Sequence, residues 1–229
     1  MKKSIVFTLL LASALTTGCS CNKEDDNNAS TGGEQTSTVE TNYKVTKEQY
    51  EDLCYTKPYL NKINSLNFRT IRKESTGNEN YQYVTEFDNG KVKSSSQWDD
   101  FYVYFKPGTY NEENRTFSYD YYYQDEGQTK KTSFENEGIP DDIFLPDLAF
   151  IISYDELKFN EETNFYEQVP EEKVLNMYEH YTEIKIKFID GKFSYASWKC
   201  ESRTTNGKTW SSSLEADEYG KTSVSLPNV

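Results

Sequence analysis

Histidine is nearly missing: His180, between Glu179 and Tyr181, is the only one in 229 residues. A metal site built on several imidazoles is thereby excluded, and any imidazole base would have to be this one residue, which reads as a partly solvated strand entrance. Cysteine is scarce too. Of four, Cys19 and Cys21 stand near the start, leaving Cys54 and Cys200 for the rest of the chain, and no Cys/His pattern has zinc spacing. Basic charge is short, with 25 Lys and Arg against 38 Asp and Glu for a net charge of −13. After residue 3 no basic run is longer than the pair Lys130-Lys131. Binding to nucleic acid draws on clustered cations that release counterions from phosphates, so nucleic acid is excluded as a partner. There is no glycine-rich phosphate loop, G-x-S-x-G turn or D-x-D-x-D-G calcium loop. With no catalytic constellation and no cofactor motif, the chain reads as non-enzymatic.

Aliphatic residues are also thin. Leu, Ile, Val and Phe make up 46 of 229 residues, about 20%, the edge where disorder competes with folding. Rings decide the matter. The 19 Tyr, 13 Phe and 3 Trp each bury on the order of 150 to 250 Å², so tyrosine supplies burial that aliphatics normally provide. A folded, β-rich body is expected.

Lys2-Lys3 precede an uncharged run, Ser4 to Gly18, whose centre from Ile5 to Leu11 is strongly apolar, as in an export signal. The run is too short to cross a bilayer, which takes roughly 20 apolar residues. It ends Leu15-Thr16-Thr17-Gly18-Cys19 and resembles the bacterial lipobox, in which a cysteine after a small residue is diacylated before cleavage. Thr16 departs from the usual Leu. Cys21, preceded by Ser20, is the alternative attachment site, but Gly18 and the length of the run favour Cys19. The resemblance implies a lipoprotein with palmitate-type acyl chains, anchored in the membrane of a bacterial cell envelope with its body on the extracytoplasmic side. At about 0.8 kcal/mol per buried CH₂, two chains anchor where one does so only marginally. The expected organisation is a signal peptide over 1–18, a flexible polar tether over 19–44 and an antiparallel-sheet domain over 45–229. The tether is expected because Asn22 to Thr38 has no apolar period and is rich in Asn, Gly, Ser and Thr.

Thr46-Lys47-Glu48-Gln49 has the form of a capping box and predicts a helix from about Lys47 to Tyr55, ended or redirected by Pro58. From Asn67 the apolar period becomes two. Asn89-Gly90 predicts a hairpin pairing Phe87 with Val92, Thr85 with Ser94, Tyr83 with Ser96 and Tyr81 with Trp98. Glu126-Gly127 sets Tyr119, Tyr121 and Tyr123 beside Phe134, Thr132 and Lys130. Asp190-Gly191 puts Ile184, Ile186 and Phe188 on the face of Ser197, Tyr195 and Phe193, with Cys200 on the Glu183 side. Phe101 to Phe105 reads as a central or doubly covered strand. Ile139 to Tyr154, with Pro140 and Pro146, reads as a helical or irregular cover. A strand pair is expected at 157–159 and 165–166, and a helix from Pro170 to about Tyr178. Weaker strands at 209–214 and 222–226 are expected to complete the sheet edge. The fold class is α+β: a single curved antiparallel sheet, half-barrel-like, covered by a few short helices.

Together Val45 to Tyr50, Asn67-Phe68, Tyr121 to Tyr123, Phe150 to Tyr154, Phe159 to Thr163 and Ile184 to Lys192 resemble the LolA/LppX-like half-barrel lipoproteins. That resemblance implies a concave sheet face able to shelter a lipid or another apolar ligand. Cys54 and Cys200 in an exported domain can form a disulfide or remain two thiols. The acid pairs Asp99-Asp100, Asp141-Asp142, Glu161-Glu162 and Glu171-Glu172 read as solvated turns and helix starts, because strand neighbours point to opposite faces. For Tyr119, Tyr121 and Tyr123, core packing is favoured over ligand binding. Two functions follow as expectations: a lipid-binding carrier on the concave face, or a surface module presenting aromatics to protein or glycan.

Overall fold

A computed structural model describes residues 41–148, 151–169, 174–175, 179–202 and 208–229. Cys19, Cys21 and most of the expected tether therefore lie outside the described residues. Helix α1 (Lys47–Cys54) begins at the expected capping box: the Thr46 hydroxyl accepts from the Gln49 amide, and the Gln49 side chain accepts from the Thr46 amide at 2.8 Å. Pro58 does not break the path. It occupies the first turn of a second helix, α2 (Thr56–Asn61), where a missing N–H costs no helical hydrogen bond.

Besides two single-turn 3-10 helices, Ile63–Ser65 and Tyr154–Glu156, the described residues form twelve strands: β1 (Asn67–Thr76), β2 (Glu79–Asp88), β3 (Lys91–Ser96), β4 (Asp100–Phe105), β5 (Phe117–Asp125), β6 (Gln128–Glu137), β7 (Leu157–Asn160), β8 (Phe165–Gln168), β9 (Val174–Leu175), β10 (Glu179–Ile189), β11 (Lys192–Ser202) and β12 (Thr209–Asp217). They form one open, curved antiparallel sheet in the order β6-β5-β4-β3-β2-β1-β12-β11-β10-β8-β7, with β9 paired to β10. Asn89-Gly90, Glu126-Gly127 and Asp190-Gly191 all take positive φ, the turn whose twist matches paired strands. The first two hairpins have the expected registers, Phe87 opposite Val92 and Tyr121 opposite Thr132. The Tyr81–Trp98 pair lies beyond the last ladder residue of β3, yet its rings still meet at 5.4 Å.

Four expectations are corrected. In the β10–β11 hairpin, register shifts at Lys187/Phe188 and Thr182/Lys185 put Ile186 opposite Ala196, turn Tyr195 and Ser197 to the other face, and bring Cys200 to the buried face with Ile186 and Phe188. β-Bulges of this kind cannot be read from a strict two-residue period. Strand β12 lies between β1 and β11, not at the edge. Both neighbours need a partner there, and Arg69 fixes the register by donating twice to Asp217, at 2.9 and 2.7 Å. Residues 222–226 form no strand; Thr222 and Val224 instead donate from their backbone to Asn67 and Asp88. The helix expected after Pro170 is contradicted at Val174–Leu175, which is strand β9; the rest of it lies outside the described residues.

One face of the sheet is the core face. Helices α1 and α2 cover its β1/β10/β11 side. Tyr50, fully buried, sits 6.1 Å from Phe188 and donates its hydroxyl to the Ile152 carbonyl, while Tyr59 lies 5.9 Å from Phe68. An irregular strap, residues 139–148, crosses the centre. It is held by three side chains that the β1–β3 registers place side by side and that are buried in spite of their hydroxyls: Thr70, Thr85 and Ser94. Thr70 donates to the Phe144 carbonyl at 2.7 Å, Ser94 to the Asp142 carbonyl at 2.7 Å, and Thr85 accepts from the Phe144 amide at 3.3 Å. A backbone with no ladder of its own is satisfied this way, which explains why the row is polar.

Candidate functional site: an aromatic cleft

Beyond the strap, on the β2–β5 part of the same face, no helix lies overhead. Here Tyr83, Ser94, Ser96, Trp98, Phe101, Tyr121, Tyr123 and Gln124, with Asp99, Asp100 and Asp142, line a cleft of about 460 Å³. That is within the usual range for a small-molecule site. Trp98 dominates the rim. It is 59% exposed, the most open ring side chain among the described residues. Its place is set by Ser96, whose hydroxyl accepts from the Trp98 amide at 3.2 Å and the Asp99 amide at 3.1 Å, closing a tight turn as β3 ends.

Around it the rings form an aromatic wall in two groups, one on each side of the cleft. Tyr83 lies 6.3 Å from Trp98 and 5.0 Å from Phe144 in the strap; across the cleft Phe101 stacks on Tyr121 at 5.1 Å, and Tyr121 meets Tyr123 at 5.8 Å. The wall is built by register. Val103 pairs with Tyr121 and Tyr121 with Thr132, so alternate residues of β5 all face inward. Tyr119, the first of the row, is core; Tyr121 and Tyr123 are half-buried and line the cleft. Burial raises the Tyr121 hydroxyl's pKa above its ordinary value, with Asp142 and Asp99 adding to the effect. Tyr83 is raised by burial, then by Glu74 and Asp142, against an opposing effect from Arg72. Both phenols therefore stay protonated at neutral pH and can donate hydrogen bonds into the cleft.

Asp99, Asp100 and Asp142 are exposed, as expected of solvated acids, but sequence reasoning did not place them at the border of the cleft. They converge because the β3–β4 turn and the strap, 40 residues apart in sequence, meet over Ser94 and Ser96. Glu161, by contrast, is a turn residue paired with Lys44 at 2.5 Å, and Glu171-Glu172 lie outside the described residues. His180 belongs to β10, opposite Leu175, and takes no part in the cleft. Cys54 and Cys200 are both buried free thiols, the second of the two expected alternatives. Cys54 lies at the end of α1, where its carbonyl accepts from the Leu148 amide; Cys200 lies in the β11 ladder opposite Tyr181 and Trp210. Burial pushes both thiols up, Cys200 to about 12, so neither is a ready nucleophile. Among the described residues no three His, Cys, Asp or Glu side chains are grouped to hold a metal ion.

Two other depressions lack the same convergence. One of about 720 Å³ lies mainly on the opposite, polar face. Its charged lining is engaged in pairs, Lys199 with Glu183 at 2.7 Å and Lys185 with Glu167 at 3.7 Å. The other, about 360 Å³, is the room left between α1, α2 and the sheet around Tyr59, Phe68 and Tyr219. Apart from that space, the concave face on this side is filled: Tyr50, Leu148, Ile151, Ile152 and Phe188 have no more than 1% of their surface exposed.

No family model matches the chain. No curated protein matches it in sequence. Among solved structures, a DUF1329 family protein from Desulfovibrio piger ATCC 29098 is similar over 76% of this chain and 92% of its own, at 9% identity and a TM-score of 0.26. A likeness so shallow carries no argument about function.

Proposed function

We propose that the protein is a non-catalytic binding module of the bacterial cell envelope, tethered by an acylated Cys19, or Cys21 in its place, and taking a saccharide-like ligand in the Trp98 cleft. The observation that carries this reading is the open aromatic wall. Trp98, Tyr83, Tyr121 and Tyr123 offer ring faces for stacking on a sugar, and the phenols, Ser96 and Gln124 offer hydrogen-bond partners around them. Of the two functions expected, a carrier of apolar cargo is the less favoured. Its cargo would need the concave face beneath α1 and the strap, where buried side chains already lie. The lipid anchor is supported by Lys2-Lys3, the apolar run and Gly18-Cys19.

Binding is tested by screening the full chain on a glycan array and titrating the best ligand into wild type and Trp98→Ala. A micromolar to millimolar ligand whose affinity falls at least about tenfold in the variant is expected, the loss typical of removing a central aromatic anchor from a binding site. An affinity untouched by Trp98→Ala would overturn the site. The anchor is tested by acyl labelling in cells: label should vanish in Cys19→Ala, and loss in Cys21→Ala alone would move the attachment by two residues.

A further inference from the structure

The charge around the cleft is one-sided, and this selects among saccharides. Asp99 and Asp142 flank the aromatic wall, both are exposed, and neither has a salt-bridge partner among the described residues. The cations nearby are already engaged. Lys93 lies 3.5 Å from Asp100, Arg72 is 2.5 Å from Glu74, and Lys130 pairs with Asp125. No Lys or Arg lines the cleft itself. A neutral sugar would use the rings and offer hydroxyls to the carboxylates without drawing on their charge, and an anionic one would be repelled by them. An ammonium group set over the face of Trp98 or Tyr121 would meet both the ring quadrupole and the free carboxylates. The field of Asp142 and Asp99 already registers on the Tyr121 hydroxyl.

Resting on the saccharide reading above, we infer that the cleft selects sugars carrying a free, protonated amine, with Asp99 and Asp142 as the groups that face the ammonium. Backbone and length can be held constant while only the charge changes. Fully deacetylated chitotetraose and its fully N-acetylated counterpart are titrated calorimetrically into the full chain, into Asp99→Asn/Asp142→Asn and into Glu113→Gln/Glu162→Gln. The last removes the same number of charges from exposed positions outside the cleft. The deacetylated tetramer is expected to bind at least about tenfold more tightly than the acetylated one. That preference should disappear in the Asp99/Asp142 variant and persist in the Glu113/Glu162 variant.

Equal binding of the two tetramers, or an acetylated preference, would overturn the inference and leave the saccharide reading standing. So would a loss of preference as large in the remote variant, because attraction would then come from the overall negative charge. Binding of neither tetramer, with nothing found on the array, would remove both the saccharide reading and the inference that rests on it. Circular dichroism of the variants confirms that folding is unchanged, as expected for exposed carboxylates.

Discussion

The same face of one sheet is used in two ways. Over β1, β10 and β11 it carries Phe68, Phe188, Phe193 and Ala196 beneath two helices and a strap, with at most 3% of any of them exposed. At the Trp98 end of β2 to β5 it carries Tyr83, Tyr121 and Tyr123 around an open cleft with Trp98 at the rim, while Phe87, Val92, Val103 and Phe105 farther along the same strands are buried. The alternation of rings is the same in both halves. What differs is the cover: α1, α2 and residues 151–152 fill one side, and the strap stops short of the other. An aromatic row is therefore core or site according to what lies overhead, a property of the tertiary fold and not of the strand's own sequence.

The contrast between the halves can be broken by mutation, and the largest effect should come from the covered one. Phe188→Ala removes a ring in contact with Tyr50, Tyr166 and Phe193. It should cost about 3 to 5 kcal/mol in a urea melt, enough to unfold much of the population of a marginally stable domain. Trp98→Ala, on the open side, should change stability by no more than about 0.5 kcal/mol. If the two variants lost comparable stability, the halves would not be distinct.

The strap that divides them is next. Thr85→Val keeps the shape but removes the hydroxyl that receives the Phe144 amide. A loss of about 1 to 3 kcal/mol is expected, with faster exchange of that amide in hydrogen-exchange mass spectrometry. A comparable effect is expected at Gly90. Its φ of 83° lies in the left-handed region, and an added Cβ would sit 2.5 Å from the Asn64 side chain, which itself donates to the Phe105 carbonyl at 2.9 Å. Gly90→Ala should lose about 1 to 3 kcal/mol, measured by thermal denaturation.

Acid provides the finest probe. The Val224 amide, followed by Asn89 and Lys91, holds the Asp88 carboxyl below its ordinary value of 3.8. A depressed folded value means that the stabilisation is complete above the unfolded pKa and is lost as pH falls through the folded one. Asp88→Asn should accordingly flatten the dependence of the urea midpoint on pH below about pH 4, with its loss of stability fully present at neutral pH and shrinking as wild type is acidified. An unchanged acid limb would show that the Val224 contact contributes nothing.

Much of the fold was legible because local signals agree with it. Thr46 to Gln49 marks the start of α1, and the pairs Asn89-Gly90 and Glu126-Gly127 set their registers by turn geometry alone. The β1–β2 hairpin is closed by Gly77-Asn78, with Gly77 at positive φ, a signal of the same local kind. The β10–β11 register was illegible past Phe188 because bulges reset the two-residue period. The central place of β12 was illegible because strand order is decided between segments more than 100 residues apart. Half of the site was visible as the tyrosine row of β5. The other half was not: Asp142 reaches the cleft only because Thr70, Thr85 and Ser94 hold the strap across the sheet, a contact that no local pattern announces.

Nature has placed three tryptophans as reporters for the central claim. Trp98 stands at the cleft, whereas Trp198 and Trp210 belong to β11 and β12. The full chain labelled with 5-fluorotryptophan should give three fluorine resonances, assigned by single substitutions. Titration with the saccharide selected on the array should move the Trp98 resonance saturably and leave Trp198 and Trp210 in place. Movement of Trp198 or Trp210 with Trp98 unchanged would contradict a ligand site in the open half of the sheet.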